Sequence, residues 1–122
     1  MTKGKVSVGL GEAWFWVKKA EKVLREKTGL KEIFYGTLNI ELEKPYKFKD
    51  PDYIIQKEEY DGEEKVYIKR CELNGHQVYA VRSAINEEER GEHPLTILEI
   101  ISDINLREKF NLKDEDIVNI DI

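Results

Sequence analysis

The order of apolar and polar positions along the first third of the chain predicts a strand, a helix and a second strand. Residues 3–8 alternate polar and apolar side chains, as a strand does when one of its faces is buried. Over residues 13–27 the apolar positions recur every three or four residues, which predicts an amphipathic helix ending at Gly29. The apolar segment over residues 38–42 is predicted to be the next strand.

The middle of the chain has the pattern of a β-meander. Strands are predicted over residues 53–60 and 64–73, with a tight Asp-Gly turn between them at residues 61–62. An Asn-Gly pair at residues 74–75 then predicts a hairpin that returns over residues 76–83.

In the last third, a charged link over residues 86–92 precedes an apolar strand over residues 95–101. Ser102 and Asp103 are predicted to cap a short helix over residues 104–110, and residues 117–122 alternate as a final strand. Six or seven strands with few helical crossovers predict a mainly β fold, a compact β-barrel with one longer and one short helix.

Composition limits the classes of partner. The chain has 122 residues, of which 40% are hydrophobic, so we expect one domain over residues 1–122 with a single core. Charged residues make up 37% of the chain, but the signs are interspersed and the net charge is only -5. Duplex nucleic acid needs a concentrated basic face, which this balance does not suggest. We therefore expect a monomer with neither nucleic acid nor a membrane as a partner.

Cysteine usage and hydropathy indicate a compartment. Cys71 is the single cysteine, which excludes an intrachain disulfide and fits a reducing environment. No apolar run is long enough to span a bilayer, and Glu12 occurs before a signal-peptide core could form. A cytoplasmic protein is expected. The two histidines have no partner at zinc-ligand spacing.

Three features are candidates for chemistry. Thr37 and Asn39 would point to the same face of a strand, and neutral oxygens suit a Mg²⁺ ion that takes other ligands from nucleotide phosphates; a turn entering a strand is the alternative. Gly9 and Gly11 let backbone amides approach a phosphate, or simply form a tight turn. Glu99 interrupts an apolar run and therefore faces either solvent or a ligand.

Motifs in a fixed order carry a resemblance to a known family. They are Gly9-Leu10-Gly11-Glu12, Gly36-Thr37-Leu38-Asn39, and Leu98-Glu99-Ile100-Ile101 followed by Asn105-Leu106-Arg107-Glu108-Lys109. With these intervals, nearly the whole chain resembles the archaeal-type CTP-dependent riboflavin kinases. The resemblance implies a cradle-loop β-barrel and a Mg²⁺-assisted enzyme. Such an enzyme transfers the terminal phosphoryl group of CTP to the 5'-hydroxyl of riboflavin, giving FMN and CDP.

The resemblance also implies roles for individual residues. Thr37 and Asn39 would be the magnesium ligands. Glu99 would contact the flavin, as would Gly91, which occupies the position of a family threonine. The nucleotide would bind along two segments, made of Gly9, Leu10, Gly11, Glu12, Ala13 and Trp14 and of Ile104, Asn105, Leu106 and Arg107.

Three departures from the family pattern leave other functions open. Ala13 replaces the last glycine of the glycine loop, and Ser102 and Asp103 replace an alanine-proline pair. Residues 87–92 are acidic where the family has a threonine and basic residues. The alternatives are a CTP-dependent kinase of another small hydroxyl acceptor and a non-catalytic flavin- or nucleotide-binding regulatory module. No catalytic base is evident from the sequence.

Overall fold

The computed structural model describes residues 2–8 and 13–122, and the side chains of the first helix from residue 15 onwards. Seven strands form one antiparallel sheet in this part of the chain. The strands are β1 (Thr2–Ser7), β2 (Leu38–Leu42), β3 (Tyr53–Ile55), β4 (Val66–Leu73), β5 (His76–Ser83), β6 (Ile97–Ile101) and β7 (Ile117–Asp121). Their order is β3-β4-β5-β6-β2-β1-β7, and β7 also pairs with β4. Six strands therefore close into a barrel, with β3 added outside β4, and the predicted mainly β barrel is confirmed.

Helices contribute little of the described chain. The long helix α1 covers Ala13–Thr28, and two helices of one turn follow, α2 (Ala84–Glu87) and α3 (Leu106–Lys109). Helix α1 ends as predicted, because Gly29 has a φ of 79° and its N–H donates to the Arg25 carbonyl at 2.8 Å. No helix in residues 2–8 or 13–122 has the length and apolar character needed to cross a membrane.

The β4–β5 hairpin shows how local sequence sets the barrel register. Asn74 and Gly75 have φ values of 50° and 84°, the left-handed conformations of a type I′ turn. The turn aligns Leu73 with His76, and the pairing then runs without interruption to Val66 opposite Ser83. Along β5 the side chains alternate between the barrel interior and the outer face under α1.

The described residues form two apolar clusters, one on each side of the barrel wall. The interior cluster consists of Val6, Leu38, Ile40, Leu42, Phe48, Cys71, Leu73, Val78, Ala80, Leu98, Ile100, Leu106, Val118 and Ile120. The outer cluster joins α1 to the sheet through Val17, Ala20, Val23, Leu24, Ile33, Ile55, Val66, Ile68, Tyr79, Val81 and Ile101. Tyr79 also donates its hydroxyl hydrogen to the Thr28 carbonyl at 3.1 Å, which holds the end of α1 against β5.

Two predicted elements in the middle of the chain are wrong in extent. The strand predicted over residues 53–60 ends at Ile55, because the Gln56 N–H donates to the Glu59 carboxylate at 2.7 Å and Lys57–Glu59 forms a 3₁₀ turn. The link predicted over residues 86–92 begins inside α2, whose Asn86 N–H donates to Ser83 Oγ at 3.3 Å. In both places a polar side chain satisfies a backbone group and favours a helical turn.

The start of the last helix was also misplaced. Helix α3 begins at Leu106 rather than Ile104, and Asn105 is its cap, since Asn105 Oδ1 accepts a hydrogen bond from the Glu108 N–H at 3.2 Å. Ser102 is not the cap: its Oγ accepts from the Ile104 N–H at 3.3 Å and donates to Asp103 at 3.0 Å. Residues 102–105 therefore form a hydrogen-bonded turn before the helix.

Candidate active site

A row of polar side chains crosses the outer face of the barrel at β1, β2 and β6. The antiparallel register places Asn39 opposite Ser7 on one side and opposite Glu99 on the other. Directly opposed residues point to the same face of a sheet. This face is the outer one, because Ile40 and Leu98 beside them lie in the interior cluster. The row therefore lies on the side of the barrel that α1 covers.

Thr37 lies on the same face as Asn39, two positions earlier on the chain and just before β2 begins. Thr37 is half-buried, and only 6% of Asn39 is exposed. The Thr37 side chain contributes a hydrogen bond to Glu99. The structure therefore brings together the two predicted magnesium ligands and the predicted flavin-contacting carboxylate.

Glu99 is held by a tryptophan of α1. Trp16 donates its Nε1–H to Glu99 Oε1 at 3.1 Å. Burial raises the pKa of Glu99 above its ordinary value, while the hydrogen bond from Trp16, the charge of His93 and the hydrogen bond from Thr37 oppose that rise. Of the two possibilities that the sequence left open for Glu99, free exposure to solvent is therefore excluded. The sequence did not indicate this contact of Trp16, because only the fold brings α1 and β6 together.

A cleft of about 490 Å³ opens beside Glu99. Its walls come from the start of α1, the loop between β3 and β4, the end of β5, and α2. The lining includes three aromatic side chains, those of Phe15, Trp16 and Tyr60. A cleft of this size, with aromatic walls and a few charged side chains that include Glu99, has the character of a site for a small organic ligand.

Gly91 lies outside the lining of that cleft. It is exposed, and a Cβ added there would stand 1.9 Å from Asn86 Oδ1. Asn86 itself lines the cleft. Gly91, the predicted flavin contact, therefore adjoins a residue of the cleft wall but does not line the cleft. Asn86 was missed because its charged segment has the pattern of a solvated link.

A second, smaller depression lies on the other side of Thr37. It measures about 40 Å³, and its lining contains Thr37 together with the predicted nucleotide segment, Ile104, Asn105, Leu106 and Arg107. The remaining lining residues are Phe34, Gly36, Leu38, Ile100 and Ser102. Thr37 lines this notch and Glu99 lines the larger cleft, and the Thr37 side chain lies near enough to Glu99 to lower the pKa of its carboxyl group. The two depressions are therefore neighbours.

The remaining predicted nucleotide contacts fall mostly outside the described chain. Gly9, Leu10, Gly11 and Glu12 are not among the described residues, and the side chains of Ala13 and Trp14 are not described. Residues on both sides of this segment contact the polar row, since Ser7 pairs with Asn39 and Trp16 contacts Glu99.

A histidine at the start of β5 contacts the turn that precedes α3. His76 Nε2 lies 2.9 Å from Asp103 Oδ1, and Ser102 Oγ donates to the same oxygen. This contact lowers the pKa of Asp103. The sequence did not indicate this contact, because only the fold brings the start of β5 close to the turn that follows β6.

Comparison with known proteins decides the family. A family model labelled CTP-dep_RFKase and described as a domain of unknown function, DUF120, matches residues 6–122. The chain belongs to the CTP-dependent riboflavin kinase family. The resemblance inferred from the sequence motifs is thereby confirmed.

Curated relatives of this family come from archaea and are named riboflavin kinase. The protein from Pyrobaculum aerophilum is 34% identical over 98% of this chain and 59% of its own length. The Archaeoglobus fulgidus protein is 32% identical over 98% of this chain and 53% of its own length. The Staphylothermus marinus protein is 36% identical over 97% of this chain and 88% of its own length. The chain thus spans little more than half the length of the first two relatives.

Proposed function

We propose that the protein is a CTP-dependent riboflavin kinase, which transfers the terminal phosphoryl group of CTP to the 5'-hydroxyl of riboflavin and yields FMN and CDP. Membership of the family and its relatives named riboflavin kinase support this function. The observation that carries it is the position of Glu99 and Thr37, which line two neighbouring depressions of unequal size. The proposal assigns the acceptor to the larger cleft and the nucleotide to the notch.

Thr37 and Asn39 are proposed to hold Mg²⁺. A hydroxyl and an amide oxygen on one face, with the Glu99 carboxylate opposite Asn39, form an oxygen donor set that suits this ion. No group of three or more His, Cys, Asp or Glu side chains able to hold a metal occurs in the described ranges, 2–8 and 13–122. This fits an ion that takes most of its ligands from the phosphates and water. When bound, Mg²⁺ neutralises charge on the transferring phosphoryl group.

The protein's own residues are proposed to position the two substrates. The backbone of residues 9–14 holds the phosphates, and residues 104–107 hold the cytidine side. In the cleft, the rings of Trp16 and Tyr60 pack against a flat acceptor, and Glu99 accepts a hydrogen bond from it. Because phosphoryl transfer depends mainly on positioning and charge neutralisation, such an arrangement needs no strong general base.

Domain organisation, oligomeric state and compartment are part of the same proposal. We propose a single catalytic domain over residues 1–122 that acts as a monomer in the cytoplasm on small-molecule substrates. The exposed large apolar side chains of the described residues support the monomer, since they lie on different segments of the chain: Val8, Phe15, Phe34, Ile54 and Ile117. The buried, unpaired Cys71 fits a reducing compartment.

One observation favours a second candidate, a kinase of another small hydroxyl acceptor. The family's flavin-contacting threonine corresponds to Gly91, which lies against Asn86 rather than in the cleft lining. The neighbouring segment is acidic, and Glu63 and Glu64 add carboxylates to the cleft. An acceptor with a different polar edge would fit these changes, and a non-catalytic binding module would also retain the cleft.

Turnover separates these functions. The purified protein is incubated with Mg²⁺, riboflavin and either CTP or ATP, and FMN is separated by chromatography and detected by its fluorescence. We expect FMN with CTP, none when Mg²⁺ is chelated, and far less with ATP. CTP binding without FMN would reject the riboflavin kinase. CDP formation with another alcohol would then identify the second candidate.

A further inference from the structure

We propose that Phe34 is the platform on which the base of the nucleotide stacks, which rests on the proposed CTP-dependent function. Phe34 is 42% exposed and lines the notch together with residues 104–107. It belongs to neither apolar cluster, although its neighbours Ile33 and Tyr35 pack against the cluster under α1. The ring of Phe34 is therefore directed away from the core and leaves a flat apolar surface at the edge of the notch.

The backbone fixes this ring relative to the rest of the notch. The Phe34 N–H donates to the Ser102 carbonyl at 3.0 Å, which ties the platform to the turn before α3. The ring also lies across Gly36, where an added Cβ would stand 2.8 Å from Phe34 Cε2. Any larger residue at position 36 would move the ring. This close approach gives a local reason for the glycine that precedes Thr37.

The opposite wall supplies polar groups for the edge of a base. Asn105 uses its Oδ1 to cap α3, accepting from the Glu108 N–H at 3.2 Å, so its amide nitrogen is left to donate. Cytosine offers O2 and N3 as adjacent acceptors. The guanidinium of Arg107 is paired with Asp114 at 2.8 Å, which holds that side chain at the rim.

The size of the notch determines how a base would bind. A volume of about 40 Å³ admits the edge of a pyrimidine but does not enclose the whole ring. The face of the base must then lie on an exposed surface next to the notch, and Phe34 provides one. The ribose and phosphates would extend toward Thr37, which lines the same notch.

The test measures nucleotide affinity by calorimetric titration in the presence of Mg²⁺. We expect Phe34→Ala to weaken CTP binding by about 5- to 150-fold, because base–aromatic stacking has an energy of about 1–3 kcal/mol per base. Binding of inorganic tripolyphosphate should not change, since it has no base. Phe34→Tyr should bind CTP within about twofold of the unmodified protein, because stacking is retained.

Two further variants extend the test, one inside the notch and one outside it. Gly36→Ala should weaken CTP binding in the same direction, because the added methyl group displaces the ring while the φ at this position suits an L residue. Ile54→Ala removes a comparably exposed apolar side chain on β3, outside the notch, and should leave CTP affinity unchanged. The thermal midpoints of all variants are measured to show that each is folded.

The outcomes separate this inference from the proposed function. If Phe34→Ala binds CTP as tightly as the unmodified protein, and the latter still forms FMN, the platform is refuted and the kinase stands. If CTP affinity falls while tripolyphosphate affinity holds, the platform is supported even where riboflavin is not phosphorylated. If the unmodified protein does not bind CTP, both are refuted.

Discussion

Replacing Arg82 with methionine should be among the most damaging single changes to the fold. Arg82 is buried near one end of the barrel and reaches across to the segments that follow β2 and precede β6. Its guanidinium donates to the carbonyls of Leu95 at 3.1 Å and Ile97 at 2.9 Å, and also to that of Tyr46. It forms an ion pair with Glu87 at 3.0 Å. One side chain thus joins α2, the segment after β2 and the segment that leads into β6.

The magnitude follows from what the substitution leaves behind. Methionine keeps the apolar stem but leaves the largely buried Glu87 carboxylate without its counter-charge and three carbonyls without a donor. Breaking a buried pair in this way costs about 3–5 kcal/mol. For a domain of this size, about 4 °C in Tm corresponds to 1 kcal/mol, so we expect Tm to fall by about 12–20 °C.

The assay is chemical denaturation followed by tryptophan fluorescence and checked by thermal melting. Arg90→Met is the matched control, since it removes an arginine from an ion pair with Glu88 that is solvent-exposed. The free energy of unfolding of Arg90→Met should remain within experimental error of that of the unmodified protein. The double variant Arg82→Met/Glu87→Gln should be more stable than Arg82→Met alone, because no buried charge is left unpaired. A loss below about 1 kcal/mol for Arg82→Met would refute the reasoning.

Three further predictions concern the site and the core. Asn39→Ala should reduce FMN formation by about 100-fold or more with little change in Tm, because it removes a proposed metal ligand. Asn119→Ala, at an exposed position of β7, is the control, and equal rates for Asn39→Ala and the unmodified protein would reject the assignment. Burial raises the pKa of Glu99, so the stability associated with its protonated form is present below about pH 4.3 and lost as pH rises through the raised pKa. Glu99→Gln, which still accepts from Trp16, should therefore have a higher Tm than the unmodified protein at pH 8 and no advantage at pH 4; a lower Tm at pH 8 would contradict this. Burial in the barrel raises the pKa of Cys71 to about 12, so the thiol should react with a disulfide reagent at pH 8 only after denaturation, and rapid labelling of the native protein would be inconsistent with the fold.

Much of the fold could be predicted because local sequence and tertiary structure agree. The alternating pattern of β5, the Asn-Gly turn at residues 74–75 and Gly29 after α1 each specify local geometry that the barrel uses unchanged. The predictions failed where a side chain competes with regular secondary structure for a backbone hydrogen bond. Glu59 turns the chain after β3, and Asn105 rather than Ser102 caps α3. Such competition depends on one hydrogen bond and leaves little trace in the hydrophobic pattern.

The candidate site could also be predicted only in part, for the same reason. That Thr37 and Asn39 share a face follows from the two-residue period of a strand and could be predicted. The position of Glu99 opposite Asn39 depends on the β2–β6 register, which closure of the barrel sets, and the contact of Trp16 depends on how α1 packs. Phe34 was missed because a lone aromatic residue before a turn has the same pattern whether it packs inward or faces a ligand.

The central claim is that metal, nucleotide and acceptor meet on the outer face of β2 and β6 under α1. Proton NMR with Mn²⁺ in place of Mg²⁺ tests it directly, because the paramagnetic ion broadens signals from nearby protons. In the presence of CTP, Mn²⁺ should broaden the side-chain amide signals of Asn39 and the indole N–H signal of Trp16. Sharp signals from both groups, with broadening elsewhere in the protein, would contradict the account.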